Sequence, residues 1–361
     1  MERILQVVTM MDMGGIESLI MNYYRCMDRS KVQFDFLMHR SVPSHFDEEI
    51  LSMGGRIYRL PPIHPKTFVA YRRELKKFFD THSYRVVHAH NNAYSMFVLR
   101  EAQKHGVPVR IASSHCAYPK LSLVHRITYD YCRSKINRYC TKRFACSAKA
   151  GQWLYSGADF DILPNAIDAE KFRFSPALRK QYRSELGLEN SFVVLHVGRL
   201  TYAKNHEFLF AAFENILKAE PSAKLLLVGD GELRLQIEEY AEKLPDGAVL
   251  ILGSRTDTPA LLQAGDVFAF PSVFEGLPVT MIEAQAAGLP CVMSANVTGE
   301  CVVTDLVKVL PIDDPAAWAE AILSEKGPTR TDRLAEIQAS GYDIAAAAQK
   351  LTDFYLKGES L

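Results

Sequence analysis

Residues 191–232 read SFVVLHVGRLTYAKNHEFLFAAFENILKAEPSAKLLLVGDGE, and this stretch decides the fold class. An apolar, β-branched run, SFVVLHVG (191–198), is followed by a turn. HEFLFAAFENILK (206–218) then spaces its apolar residues as a helix does, and AKLLLVG (223–229) closes the unit. Strand, turn, helix and strand at these lengths make a βαβ unit, and strands that are apolar throughout belong to a parallel sheet covered on both faces. The pattern continues through AVLILG (248–253), DVFAFPS (266–272) and LPCVMS (289–294). The reading is an open, doubly wound α/β sheet, with ligands expected beyond the carboxyl ends of its strands.

The first half has the same grammar. RILQVVTM (3–10), FDFLMH (34–39), RVVHAH (85–90), VRIASS (109–114) and RFACSA (143–148) read as buried strands, and Ile16, Leu19, Ile20 and Tyr23 recur at helical spacing between the first two. A chain of 361 residues suits two domains of similar size. The boundary is expected in ILPNAIDAEKFRFSP (162–176), which gives predicted domains of 1–165 and 166–343. The last segment, IAAAAQKLTDFYLKG (344–358), reads as a helix that ends at Gly358 and packs back on the first domain.

Composition narrows the class. With 48% hydrophobic and 23% charged residues the chain is a packed protein and not a disordered one. No window approaches the ~20 apolar residues that span a bilayer, and the first residues lack a signal-peptide pattern, so a cytosolic location is expected. Seven cysteines (26, 116, 132, 140, 146, 291 and 301) form no Cys-x-x-Cys pair, which predicts buried free thiols and no zinc site. Net charge is zero but divided: residues 1–165 carry 24 Lys and Arg against 14 Asp and Glu, and the remainder reverses the balance. The excess suits either an anionic partner for the first half or attraction between the two halves.

The residues that carry chemistry sit at strand ends. Gly198-Arg199 follows one strand, and Lys204-Asn205 precedes a helix. A guanidinium fork, an ammonium and free helix amides together suit a diphosphate. In PSVFEGLPVTMIEAQAAGLP (271–290), Glu275 falls in a loop and Glu283 in the first two turns of a helix predicted over 278–287, with Pro278 in its first turn and Gly288 just past its end. Carboxylates placed there accept hydrogen bonds from polyol hydroxyls. Cations between two such acceptors fit a nucleotide sugar, charged in the middle and hydroxylated at both ends. Gly229, Gly231 and Arg255 mark two neighbouring strand ends and, with Gly198, are expected to contact the substrate. In the first half, Gly14-Gly15 opens a helix and lets backbone approach a ligand, while His90 and His115 close two strands where either can hydrogen-bond a sugar hydroxyl or an acceptor; His88 reads as a structural histidine.

With these residues assembled, the sequence resembles the family-four glycosyltransferases. The matching motifs are Gly-Gly-x-Glu at 14–17, His115, Pro-Asn-x-Ile-Asp at 164–168, Gly-Arg-x4-Lys-Asn at 198–205, Gly-Asp-Gly at 229–231 and Glu-x7-Glu at 275–283; the N-terminal segment resembles the exopolysaccharide and capsule branch. The resemblance implies a GT-B fold, two Rossmann-like domains facing across a cleft, and a retaining transfer from a nucleotide-diphosphate sugar, UDP by family habit. It further implies that Arg199 and Lys204 bind the diphosphate, Glu283 the ribose and Glu275 the transferred sugar. Gly15 would approach the phosphate and His115 the donor sugar. No cofactor or metal is implied beyond the nucleotide-sugar co-substrate, and the acceptor would be a glycan, free or carried on a polyprenyl phosphate. Two departures stand out: Ala166 replaces a frequent glycine, and the segment 294–311 lacks the usual Asn-Gly turn.

Two segments, 66–80 and 118–143, combine cations with aromatics and are candidates for contact with an anionic membrane face. Their aromatics are equally suited to a core. Nucleic-acid binding is not expected of a neutral chain without a reader motif. A nicotinamide enzyme would carry GxGxxG where Met13-Gly14-Gly15-Ile16 stands. A non-hydrolysing nucleotide-sugar epimerase, or a partner subunit that binds the sugar nucleotide without transferring it, remains open on the residues alone.

Overall fold

Every apolar run quoted above becomes a strand. The computed structural model describes residues 1–12, 14–115, 123–327 and 330–358, and its contacts divide them into two compact units: 1–166 with the chain from Ile344 onward, and Ile167–Asp343. Among the described residues the first unit holds β1 (Glu2–Val8), β2 (Val32–Met38), β3 (Arg56–Arg59), β4 (Val86–Ala89), β5 (Val109–Ser114), β6 (Lys142–Ala145) and β7 (Asp161–Ile162), all parallel, in the order β3-β2-β1-β4-β5-β6-β7. The second holds β8 (Val193–Val197), β9 (Lys224–Val228), β10 (Val249–Ile251), β11 (Val267–Phe270), β12 (Cys291–Ser294) and β13 (Val307–Leu310), also parallel, in the order β10-β9-β8-β11-β12-β13.

Alternation along the strands explains why both faces are covered. Ile4 and Val8 of β1 pack with Leu19 and Ile20 of the Gly15–Cys26 helix and with Leu351 and Phe354 of the Ile344–Lys357 helix. Leu5 and Val7 pack on the other face with Tyr71, Leu75 and Leu99. In the second unit Val193 and Leu195 join Leu261 and Met281, while Val194 joins Leu209, Phe213 and Trp318. Each such fully buried side chain is worth roughly 1.5–3 kcal/mol over its exposed state. Strand order reverses direction between β1 and β4 and again between β8 and β11, which opens one crevice beyond the strand ends of each unit.

Some expectations need correction. β3, β7 and β13 have no counterpart among the apolar runs, because each lies at or next to a sheet edge and is only partly buried. The helix expected over 278–287 is Val279–Ala286, with Pro278 at its N-cap rather than in its first turn and Gly288 past its end at φ +63°. In the 66–80 segment the aromatic face is core: Tyr71, Phe78 and Phe79 are buried beneath the Phe68–Thr81 helix, and what remains outside is its basic face with Val69, 82% exposed. Residues 118–122 lie outside the described residues, but the Leu123–Tyr139 helix that continues that segment exposes Ile127 and Tyr131 while burying Tyr129 and Ile136. Of the described cysteines, Cys26 is exposed and the other five are buried free thiols; Cys116 is outside the described residues. No described helix is long and apolar enough to cross a membrane.

Candidate active site

In the second unit the loops after β8, β9 and β11 are built around one lysine. Gly198 leaves room for it: a Cβ there would stand 2.9 Å from Lys204 Cε. Gly229 at φ +140° and Gly231 let the β9 turn close on the β8 turn, since a Cβ on either would meet the carbonyl oxygen of Gly198 at 2.0 Å or of Leu200 at 2.4 Å. Backbone bonds from Leu200 N to Asp230 O (3.0 Å) and from Leu233 N to Leu200 O (3.0 Å) hold that contact. The three glycines predicted as ligand-binding thus do structural work at this turn.

Lys204 ends a short 3-10 turn, Tyr202–Lys204, before left-handed Asn205 (φ +54°) starts the His206–Ala219 helix. Its ammonium lies 2.7 Å from Glu275 Oε1 and 4.5 Å from the centre of the Phe270 ring. A bond from Val273 N to Ala203 O (2.8 Å) ties the β8 and β11 loops together and sets this pair. Two residues that sequence reasoning passed over, His196 and His206, are buried beside it, with their rings 5.0 Å apart. Burial holds the His206 pKa down to about 4, with Lys204 adding to the effect. Both imidazoles are therefore neutral at pH 7 and do not repel the lysine.

Arg199 is exposed, and among the described residues no ion pair engages its guanidinium. Glu283 keeps a little accessible surface but is ringed by protein, and that loss of water raises its pKa to about 7. Arg255 differs from the expectation of a ligand contact: Nε and Nη2 both donate to the Asp257 carboxylate, at 2.8 and 2.6 Å. The 294–311 segment needs no Asn-Gly turn, because Gln285 Oε1 accepts from Val303 N and Thr304 N at 3.0 Å and pins it.

The crevice of the first unit has a different character. Gly14 is the extended N-cap of the Gly15–Cys26 helix, and the Glu17 carboxylate folds into the space a Gly14 Cβ would fill, while a Cβ on Gly15 would meet nothing within 4 Å. Met13 lies outside the described residues. His115 donates its backbone N–H to Asn92 Oδ1 (2.8 Å), and its Nε2 lies 3.0 Å from His90 Nδ1. His90 Nε2 meets Gln6 Oε1 at 2.8 Å, so both its nitrogens are occupied, against the expectation that it serves a ligand. Burial holds His88 and His90 far below the ordinary histidine range and His115 at about 4. On the same edge opens a cavity of about 640 Å³, lined by Thr9, His39, Arg40, His64, Asn91 and Tyr94 among others. Arg40 is the one charged residue in that lining among the described residues, and no ion pair engages it.

One pattern escaped the sequence reading. Asp159-Phe160-Asp161 has the Asp-x-Asp spacing of metal-binding pairs, but Asp161 on β7 is ion-paired with Lys142 at 2.5 Å. Among the described residues there is no group of three metal-ligating side chains.

Two doubly wound units in one chain, one with cations and acids at its switch point, define the GT-B class of fold. Solved structures share it: HepE of Anabaena in complex with UDP superposes with a TM-score of 0.72 at 18% identity, covering 98% of this chain and 95% of that one. Sucrose-phosphate synthase of Thermosynechococcus elongatus gives 0.78 at 19% identity, covering 99% of both. In sequence, EpsF of Bacillus subtilis, named as a glycosyltransferase, is 36% identical over 98% of this chain and 96% of its own. The UDP-Gal:alpha-D-GlcNAc-diphosphoundecaprenol alpha-1,3-galactosyltransferase of Escherichia coli is 28% identical over 78% of each. The Glycosyltransferase Family 4 model matches residues 13–171 and the Glycosyl transferases group 1 model matches 191–324, so the chain belongs to the family-4 glycosyltransferases.

Proposed function

We propose that the chain transfers a hexose or N-acetylhexosamine from a UDP-sugar to a sugar carried on a lipid-linked diphosphate, with retention of configuration, in exopolysaccharide or capsule assembly. The observation that carries the reading is the grouping of Arg199, Lys204, Glu275 and Glu283 in one unit, where an exposed guanidinium and a lysine share the strand ends with two acids. In this reading Arg199 and Lys204 take the diphosphate, Glu283 accepts hydrogen bonds from the ribose, and Glu275, released from Lys204, accepts them from the transferred sugar. The names of the E. coli relative and of the HepE complex favour a UDP donor, and the former favours a diphosphate-linked acceptor.

As the bond from C1 to the phosphate oxygen breaks, charge grows on the leaving diphosphate. Two cations fixed there stabilise it, an effect worth roughly 3–4 kcal/mol per well-placed donor in other enzymes. The acceptor hydroxyl then bonds to C1 from the same face, and its proton passes to the departing phosphate oxygen. This chain's own groups supply that stabilisation in the reading, with no metal. The cavity beside Arg40 takes the acceptor, and the basic face of 66–80 together with Ile127 and Tyr131 of 118–143 rests on an anionic leaflet.

A donor panel with thermal-shift readout tests the site: UDP-sugars raise the melting temperature of wild type, and Arg199→Ala and Glu283→Ala lose the response. No response in wild type, or full response in both variants, overturns it. Incubation with donor alone separates transfer from epimerisation, which would yield a second UDP-sugar without acceptor.

A further inference from the structure

Tyr355, Gln6, His88, Ser113 and His90 form one continuous buried polar chain that leads to the family-motif residue His115, and none of the five is used by the proposed mechanism. It starts on the last helix. Tyr355, 1% exposed, lies with its hydroxyl 3.2 Å from Gln6 Nε2 and 2.7 Å from His88 Nδ1. His88 Nε2 lies 2.6 Å from Ser113 Oγ. From Gln6 the chain runs on to His90 Nε2 at 2.8 Å, and from His90 Nδ1 to His115 Nε2 at 3.0 Å. Gln6, His88 and His90 are all at least nine-tenths buried, and the rings of His88 and His90 lie 4.1 Å apart, too close for both to carry charge in this setting.

A neutral imidazole has one donor and one acceptor nitrogen, so each link fixes the next. Gln6 donates through Nε2 to the Tyr355 oxygen, and the arrangement that also gives the buried Tyr355 proton an acceptor sends it to His88 Nδ1, with His88 Nε2 as donor to Ser113. Gln6 Oε1 can only accept, so His90 carries its proton on Nε2 and presents a bare Nδ1. His115 must then hold its proton on Nε2 to meet that nitrogen. Its own Nδ1 is left as a lone pair.

We propose that Tyr355 is a positioning residue for His115, acting through Gln6 and His90 to hold it as the Nε2–H tautomer, whose bare Nδ1 accepts a hydrogen bond from a substrate hydroxyl. The proposal rests on the glycosyltransferase reading for the identity of that hydroxyl, but the tautomer is a property of the protein alone. It gives the returning C-terminal helix a chemical task besides packing. It also accounts for a polar Gln6 between Leu5 and Val7 in a buried strand, where an apolar residue would otherwise avoid the cost of burying an amide. Burial keeps all three histidines neutral, as the relay requires.

The test uses the full chain with ¹⁵N-labelled histidine and long-range ¹H–¹⁵N correlation spectra, alongside kinetics and UDP calorimetry. In wild type, His115 Nε2 is expected to appear as a protonated, pyrrole-like nitrogen and Nδ1 as a bare, pyridine-like one. Tyr355→Phe keeps the ring and its packing but loses the hydroxyl, and Gln6→Met cuts the link outright. In both, His115 should shift to a mixture of tautomers, and kcat should fall about ten-fold while the UDP dissociation constant stays within two-fold. An Nδ1–H tautomer in wild type, or an unchanged tautomer in both Tyr355→Phe and Gln6→Met, overturns the proposal. Should wild type fail to bind UDP, the transferase reading fails while the spectra still decide the relay.

Discussion

The two crevices have the same topology and opposite chemistry. Beyond β8 and β11 the second unit gathers the charges of Arg199, Lys204 and Glu275, with a pre-formed ion pair among them, and the Glu283 carboxyl, which burial leaves only partly ionised at pH 7. Beyond β1 and β4 the first unit gathers imidazoles that burial holds neutral, joined to an amide and a phenol. A doubly wound sheet supplies the place for a ligand but not its kind; the kind is set by what the loops bury. A charged crevice suits phosphate and ribose, and a neutral, wired crevice suits a hydroxyl whose proton is to be steered.

The largest effect that separates the two crevices is steric. Gly229→Ala puts a Cβ against the Gly198 carbonyl at a φ of +140°, so urea unfolding should show a loss of about 4 kcal/mol or no folded protein. Gly15→Ala meets open space at the start of its helix and should stay within about 0.5 kcal/mol of wild type. Equal losses at both positions would show that the glycines of the two turns have the same task.

Acid should act more strongly on the first unit. A histidine whose folded pKa is lowered contributes stability that is whole above its unfolded value and is lost as pH falls through the folded one. For His115, with a folded value of about 4, that window runs from about pH 6.5 to 4 and is worth about 3 kcal/mol. His39, His88 and His90 add to it in the first unit, against His196 and His206 in the second. Glu283 works the other way: its raised pKa makes ionisation costly, so its contribution is greatest below about pH 4.5 and falls as pH rises towards 7. Hydrogen exchange at pH 7 and pH 5 should therefore show first-unit amides losing protection before second-unit ones.

Within the charged crevice, Lys204→Ala strands the partly buried Glu275 and should cost about 2 kcal/mol, whereas Arg199→Ala, at an exposed side chain, should leave stability unchanged. Both should weaken UDP-glucose binding at least ten-fold by calorimetry. The smallest effect is on proton linkage. A carboxylate with a pKa of about 7 accepts ribose hydroxyls better once ionised, so UDP-glucose affinity should rise up to about ten-fold from pH 6 to pH 8. Glu283→Gln should flatten that rise.

What the sequence made legible follows from locality. The βαβ units were readable because fully buried strands leave uninterrupted apolar runs, and Arg199, Lys204, Glu275 and Glu283 could be singled out as candidates because each sits in a strand-end loop or on the helix that follows one. The edge strand β3 was not, since Arg56-Ile57-Tyr58-Arg59 alternates with charge on a half-exposed strand. The Lys204–Glu275 pair could be placed on one sheet edge but not joined, because the bond that sets it runs between two loops. Tyr355 gave no sign at all: it is one more aromatic in an amphipathic helix, and its partners Gln6 and His88 lie more than 260 residues away. Gln6 alone, a lone amide in an apolar strand, carried a hint.

The first unit is completed by the last helix of the chain, and the second is inserted whole between residues 166 and 344, its two ends joined by a bond from Ile167 N to Tyr342 O of 2.8 Å. During synthesis the first sheet therefore leaves the ribosome lacking one of the helices that cover it, and must wait through the making of an entire second unit. Over that interval the apolar face that later receives Leu351 and Phe354 stays open, and Gln6 and His88 lack their phenol. Chains that stop before Ile344 carry the full second crevice and an unfinished first one, so on the proposed reading they would hold a sugar nucleotide without passing its sugar on.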